Sequence, residues 1–315
     1  MTTQTLAELA KFVQDDLVGG VAEDIITVNP IFNFLPFQDY SGDAVTVNRE
    51  LALGDAGLYG VSDTITHRTP SQAQPASFTA TKLIGQVDMD NLVQVQGESD
   101  GVDMTSQEIS SKSKTVARLF QTQMAQGTGV APSMHSLHSL VDSEQFATAS
   151  GVARALSFEL MDELLDLVLA KDGEVDFIMG HRVLLRKFKA LYRALGGADP
   201  TTIVVKMPDG TERTVLTYEG IPFFRNDYLS IAETANAAAL TGGDMTSLWA
   251  GVWDDGTRKV GLSAIYPGNS EAGIMVEEVG TSETLDEEIW RVKWYTNFVN
   301  FNRRALARLA SLETT

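Results

Sequence analysis

The sequence predicts a protein of the α+β class, and three features carry that prediction. Residues 175–195 read as a short buried strand followed by a helix, with further strand candidates after them, the order of a compact mixed unit. A long, mostly polar helix candidate lies at 103–126. Two strand candidates, 44–50 and 77–87, flank a stretch rich in Gly, Ser, Thr, Pro and Gln that has too few apolar residues to bury a core of its own. Such a stretch is uncommon in a compact monomer unless it is functional, and it predicts an extended hairpin that leaves the body and packs on something else.

Composition narrows the function classes. At 43% hydrophobic and 21% charged, the 315 residues describe a globular chain of one or two domains with real cores. No apolar run reaches the roughly 18 residues needed to span a bilayer, and the start MTTQTLAELAKFVQDD is acidic, unlike a signal peptide. The expectation is a chain made and kept in a cytoplasm, with no membrane partner. Zero cysteines exclude disulfides and thiolate metal sites. The net charge of −18 has the wrong sign for gripping phosphates, which argues against sequence-reading nucleic-acid binding. An acidic wall can still enclose a packed polyanion, because it repels the polymer and lets it slide.

The remaining elements follow in order. Residues 5–18 carry Leu6, Leu9, Ala10, Val13 and Leu17 at helical spacing before Gly19 and Gly20, predicting an amphipathic N-terminal arm. An apolar cluster with a proline occupies 31–37. In the long helix, Asp103 or Thr105 supplies the cap, and Ile109, Val116, Phe120 and Met124 trace a narrow apolar stripe. A loop region extends to about Gly151. Residues 152–170 read as a strongly amphipathic helix, and 202–218 as a hairpin around Pro208, Asp209 and Gly210. Strands are expected at 220–228, 247–253, 259–265, 274–279 and 289–300, with a loop at 232–246. A basic tail at 303–308 is expected to be helical or tightly packed.

No assembled chemistry emerges. His135 and His138 have a spacing that could ligate a metal from a helix, with Asp142 and Glu144 as neighbouring ligands, but they lie in a Ser- and Met-rich segment. The preferred reading is two surface or interface histidines. His67 and His181 are isolated, and the chain has neither a nucleophile elbow nor a phosphate loop. The acidic sets Asp162, Glu163, Asp166 and Glu277, Glu278, Asp286, Glu287, Glu288 read as solvated or intersubunit faces. No cofactor is implied and no catalysis is expected.

The order of several short motifs resembles the major capsid proteins of tailed bacteriophages. These are Asn48-Arg49-Glu50 after a Leu-Pro-Phe cluster, then Gly85-Gln-Val-Asp-Met-Asp90 before the long helix. They continue with Ser136-Leu-His-Ser-Leu-Val-Asp142, Tyr218-Glu-Gly-Ile-Pro-Phe-Phe-Arg-Asn-Asp-Tyr228, and Trp290-Arg-Val-Lys-Trp-Tyr295 before a terminal Ala-Arg-Leu. The resemblance implies the Hong Kong 97-type capsid fold, an α+β arrangement with four parts. These are an N-terminal arm at 1–38, an extended loop (E-loop) at 39–87, a peripheral domain at 88–149 and 270–315, and an axial domain at 150–269.

By this resemblance Leu51, Leu53, Leu58, Tyr59, Val61 and Ile65 on the extended loop would be buried only by a neighbouring subunit. The helix with Ile109, Val116, Phe120 and Met124 would be the peripheral domain's spine. The implied function is self-assembly into homo-pentamers and homo-hexamers of an icosahedral virion shell around DNA, built in the host cytoplasm. The implied partners are a portal, a separate scaffolding protein and a cement protein. Some members weld their shells with a Lys–Asn bond from the extended loop, but no lysine lies between Lys11 and Lys82, so that route is not expected. The alternatives are an encapsulin-type compartment and, in a different class, a soluble metal-dependent hydrolase built on His135 and His138.

Overall fold

The computed structural model describes residues 34–99, 103–147, 152–169, 173–195, 202–206, 212–268 and 274–314. The predicted N-terminal helix at 5–18 lies outside the described residues. The chain enters through β1 (Phe37–Tyr40) and runs out and back through β2 (Val45–Ala52) and β3 (Gln72–Phe78). It then returns as β4 (Thr81–Asp90), continuing into α1 (Asn91–Ser99) and the long α2 (Met104–Gln126). A one-turn α3 (Leu137–Leu140) and β5 (Phe146–Ala147) lead to α4 (Phe158–Leu169), β6 (Phe177–Gly180) and α5 (Arg182–Ala194). Next come β7 (Thr202–Lys206), β8 (Glu212–Tyr218), β9 (Ile221–Arg225), β10 (Met245–Gly251) and β11 (Leu262–Pro267). The chain closes with β12 (Met275–Thr281), β13 (Glu287–Asn300) and β14 (Leu306–Glu313).

Two sheets organise the body, confirming the α+β class. In the first, β13 is central: β4 pairs along one edge from Thr81↔Thr296 to Asp90↔Glu287, while β12 and β11 share the other edge, with β1 outside β11. The long helix α2 lies across β4 and β13. Asp103 caps it by accepting from the Ser106 N–H at 3.0 Å. Its stripe enters the core: Val116, Phe120 and Met124 are buried, Ile109 packs at the margin, and the Phe120 ring sits 4.7 Å from Trp294. The second sheet has the order β5-β14-β10-β6-β9-β8-β7. Alternation along β6 sends Ile178 towards α4 and α5 and sends Phe177 and Met179 into the core shared with the first sheet. Glu219 and Gly220, both at positive φ (52° and 85°), make the two-residue turn joining β8 to β9.

Several expectations are corrected by tertiary pairing. The single strand expected at 77–87 is two, broken at 79–80, where the Tyr40 hydroxyl accepts from the Ala80 N–H and Asn297 Nδ2 donates to the Thr79 carbonyl. The helix expected from 152 begins at Phe158, because Arg154 is held by backbone bonds to Ser311 and Glu313 as an extra rung beside β14. Of the two alternatives for the tail, tight packing is the one found: it makes a turn and then β14, whose alanines and leucines are buried on both faces between β10 and β5. Helix α1 and the elements α3 and β5 within the expected loop were not anticipated. Within 270–315, β12 and β13 belong to the first sheet and β14 to the second, while β11 joins the first.

Phe120→Ala removes a fully buried ring from the α2 contact and is expected to lower the unfolding free energy by about 3–5 kcal/mol. A urea titration would read this as a lower midpoint at unchanged slope.

Candidate assembly interface

The β2–β3 hairpin forms its own two-stranded sheet, with Val45 opposite Phe78 at the base and Ala52 opposite Gln72 towards the tip. Only the base is buried. Val45 and Phe78 belong to the core, Val47 and Ala76 pack on its edge, and Gln72 through Pro75 are exposed. An isolated two-stranded ribbon is marginal in water, so it needs an anchor. Arg49 supplies one: its Nε donates to the Phe301 carbonyl at 3.2 Å, its Nη2 to the Asn300 carbonyl, and its guanidinium lies 5.3 Å over the Phe78 ring. The backbone just beyond is fixed by Arg303, paired with Asp142 at 2.6 Å. Burial and the neighbouring Arg303 pull the Arg49 pKa down, an effect opposed by Asp142.

Past the strands, residues 53–71 form a tip ordered by polar contacts. Asp55 accepts from the Thr69 N–H, and its own N–H reaches the Thr69 carbonyl. The Tyr59 hydroxyl accepts from the N–H groups of Thr66 (3.0 Å) and His67 (2.8 Å) and meets His67 Nδ1 at 2.7 Å. Gly57 admits the His67 ring so closely that a Cβ there would stand 2.4 Å from it. The tip therefore has a defined shape, while its apolar side chains have no cover among the described residues. Leu58 and Val61 are fully exposed, and Leu53 and Ile65 are 76% and 57% exposed. Tyr59 is 39% exposed with its hydroxyl engaged, and Leu51 falls at the register slip between Glu50 and Ala52. The sequence singled out the apolar tip residues but missed Arg49, Asp55 and His67 as the groups that hold it. A lone arginine within an alternating strand was the available signal.

The two histidines proposed as metal ligands are separated by environment. His135 is half-buried with its ring edge on Phe78, 5.4 Å away. His138, on α3, is buried rather than on the surface: its ring edge meets Trp249, and its Nε2 lies 3.6 Å from Glu233 Oε1. Glu233 pairs with Arg308 at 3.1 Å and accepts from the Ser247 hydroxyl, which in turn accepts from Arg308 Nε. The Arg308 guanidinium is sandwiched between Trp249 and Phe146 at 4.8 and 5.1 Å. Burial pushes the Glu233 carboxyl up, only partly offset by Arg308, and pulls the His138 pKa down to about 3. A serine, a histidine and a glutamate are thus neighbours, but the serine donates to the glutamate rather than to the histidine. Ser247 and Glu233 are buried, and the His138 side chain is 9% exposed. Among the described residues no group of three or more His, Asp or Glu side chains could hold a metal. No helix among them is long and apolar enough to cross a membrane. Glu233, Ser247 and Arg308 instead tie the segment before β10 to β10 and β14, and His138 joins them by packing its ring edge on Trp249.

A projecting hairpin, a long helix laid across a sheet whose longest strand is β13, and a second sheet carrying two helices define the Hong Kong 97-type capsid fold, and this chain has it. Solved structures of that fold match end to end at low identity. The holo-SrpI encapsulin complex of Synechococcus elongatus PCC 7942 superposes with a TM-score of 0.72 at 15% identity, covering 100% of this chain and 98% of that one. The capsid of cyanophage A-1(L) gives 0.70 at 12%, covering 98% of each. The capsid of an empty GTA particle gives 0.67 at 10%, covering 96% and 97%. No family model matches the chain, and no curated protein matches it in sequence.

His138 is neutral in the folded chain down to about pH 3, whereas its unfolded form takes up a proton near 6.5. The unfolded state therefore binds more protons across that window, and folding stability is lost as pH falls through it. Urea midpoints measured from pH 7 to 4 are expected to fall more steeply in the parent than in His138→Leu. Glu233, whose pKa is raised, opposes the slope equally in both proteins.

Proposed function

We propose that this chain is the major capsid protein of a tailed bacteriophage, forming homo-pentamers and homo-hexamers of an icosahedral shell that encloses double-stranded DNA. The observation that carries this reading is the hairpin tip, which is rigidly shaped by its own polar bonds while Leu53, Leu58, Val61 and Ile65 stand in water. Seating such side chains on a neighbouring subunit gains roughly 1.5–3 kcal/mol for each one fully buried, a gain that a monomer forgoes.

In this reading residues 1–38 are the N-terminal arm and the hairpin within 39–87 is the extended loop lying across a neighbour. Helix α2, with Ile109, Val116, Phe120 and Met124, is the spine of the peripheral domain. The second sheet with α4 and α5 is the axial domain around the five-fold and six-fold axes. The chain acts structurally rather than as an enzyme: among the described residues, the serine beside His138 and Glu233 donates to the glutamate and not to the histidine. Its place is the virion, assembled in the host cytoplasm with a portal and a separate scaffolding protein. Without a lysine on the hairpin, the shell is held by buried area, overlap or a cement protein. The charge of −18 keeps the enclosed DNA from sticking to the wall.

An encapsulin-type compartment is the second reading, favoured by the full-length superposition on an encapsulin. Contents separate the two: nuclease-protected DNA in particles from infected cells for a capsid, protein cargo for a compartment.

Excising residues 54–69 is expected to leave a folded subunit with the parent's melting temperature but no closed shells by light scattering and negative-stain microscopy. Equally stable shells from that deletion would overturn the loop assignment. A strictly monomeric parent across buffers would shift the weight to a monomeric function.

A further inference from the structure

Helices α4 and α5 cover one face of the second sheet and display opposite charge. Helix α4 turns Met161, Leu164, Leu165 and Val168 inward and leaves Glu159, Asp162, Glu163 and Asp166 outside, at the i, i+3, i+4, i+7 spacing of a single ridge. It carries no basic residue. Helix α5 buries Val183, Leu184 and Phe188 and exposes Arg182, Arg186, Lys189 and Arg193, spaced i, i+4, i+7, i+11 along one row. It carries no acidic residue. At 1.5 Å per residue the acidic ridge is roughly 10 Å long and the basic one roughly 16 Å. The helices sit on different parts of the sheet, α4 over β14, β10 and β5, and α5 over β6 and β9.

The acidic ridge forms one wall of an open groove that also includes Gln145 and Arg154, with Leu160 and Leu167 as apolar lining. Carboxylates beside apolar lining suit a cationic segment with an aliphatic stem. The long side chains along α5 are of that kind.

We propose that the groove along α4 receives the basic ridge of α5 from a second copy of this chain, in a head-to-tail contact that repeats around a ring. The inference rests on the shell-subunit reading and names the contact that reading leaves open. Copies carrying −18 each repel one another, so association needs a local match of opposite charge, and these two ridges supply one. The proposed contact engages one ridge of each copy at a time, so it is heterologous and generates a ring where its rotation closes, whereas a two-fold dimer would engage both ridges of both copies at once. Nucleic acid is excluded from the groove by the sign of its charge.

The test uses three variants of the full chain: Glu159→Lys with Asp166→Lys, Arg186→Glu with Lys189→Glu, and all four together. Asp162 and Glu163 are left in place because they contact Tyr218 and Arg154. Each half-reversed variant is expected to melt like the parent but to need about tenfold or more higher concentration to form rings or shells near physiological salt. The fourfold variant restores complementarity and should return to within about threefold of the parent. Sedimentation velocity reads all four proteins. Half-reversed variants that assemble like the parent, or a fourfold variant no better than its halves, would overturn the contact. So would sensitivity confined to α4, which would assign the groove to a basic segment of another protein. Indifferent reversals in a parent that assembles remove this contact alone; a parent that never assembles removes the shell reading with it.

Discussion

Strand β13 is the constraint on which the rest of the molecule depends. It pairs with β4 along one edge and with β12 and β11 in succession along the other, and it presents Trp294 to Phe120 of the long helix. Both roots of the projecting hairpin are tied to this sheet: β1 reaches β13 through β11, and β4 pairs with it directly. At its C-terminal end, Asn300 and Phe301 offer the carbonyls that Arg49 grips. The hairpin is thus held at three points on the sheet built around this strand. A floppy ribbon would lose ordering entropy on docking; a fixed one has already met that cost in folding.

The chain then passes from β13 through a short turn into β14, which lies between β10 and β5 in the other sheet. The two sheets are therefore covalently adjacent and packed through a shared core. The His138 ring packed on Trp249 adds a second tie between the segment after α2 and the second sheet, beside the buried Arg308–Glu233 pair. Ion pairs of this depth recover little net stability over an apolar substitute, because desolvation consumes most of the attraction. Breaking one is costly, because a charge is left buried alone. The arrangement penalises any register of β10 against β14 that would part Arg308 from Glu233.

The surface completes the picture through charge. An excess of acid over the whole chain favours solubility and weak interaction with polyanions, while the concentration of base on α5 breaks that uniformity at one place. Separation of sign between two neighbouring helices is not required for either to pack, since both bury their apolar faces on the same sheet. It bears on what each helix meets outside the chain.

The sequence by itself determined the elements whose signals are local. The polar helix with its Asp103 cap and its stripe of Ile109, Val116, Phe120 and Met124, the hairpin flanked by β2 and β3, and the apolar tip residues were all legible from periodicity and composition. Only the tertiary structure decided what depends on partners distant in the chain. Arg49 finds its acceptors some 250 positions away; the basic tail at 303–308 leads into β14, a strand buried on both faces; and His138 packs against Trp249 beside Glu233 instead of standing in solvent. The physical reason is the same in each case. A residue's periodicity reports the face it presents, but not which other segment will cover that face, and burial and pairing across the fold then outweigh a local preference of a few tenths of a kcal/mol per residue.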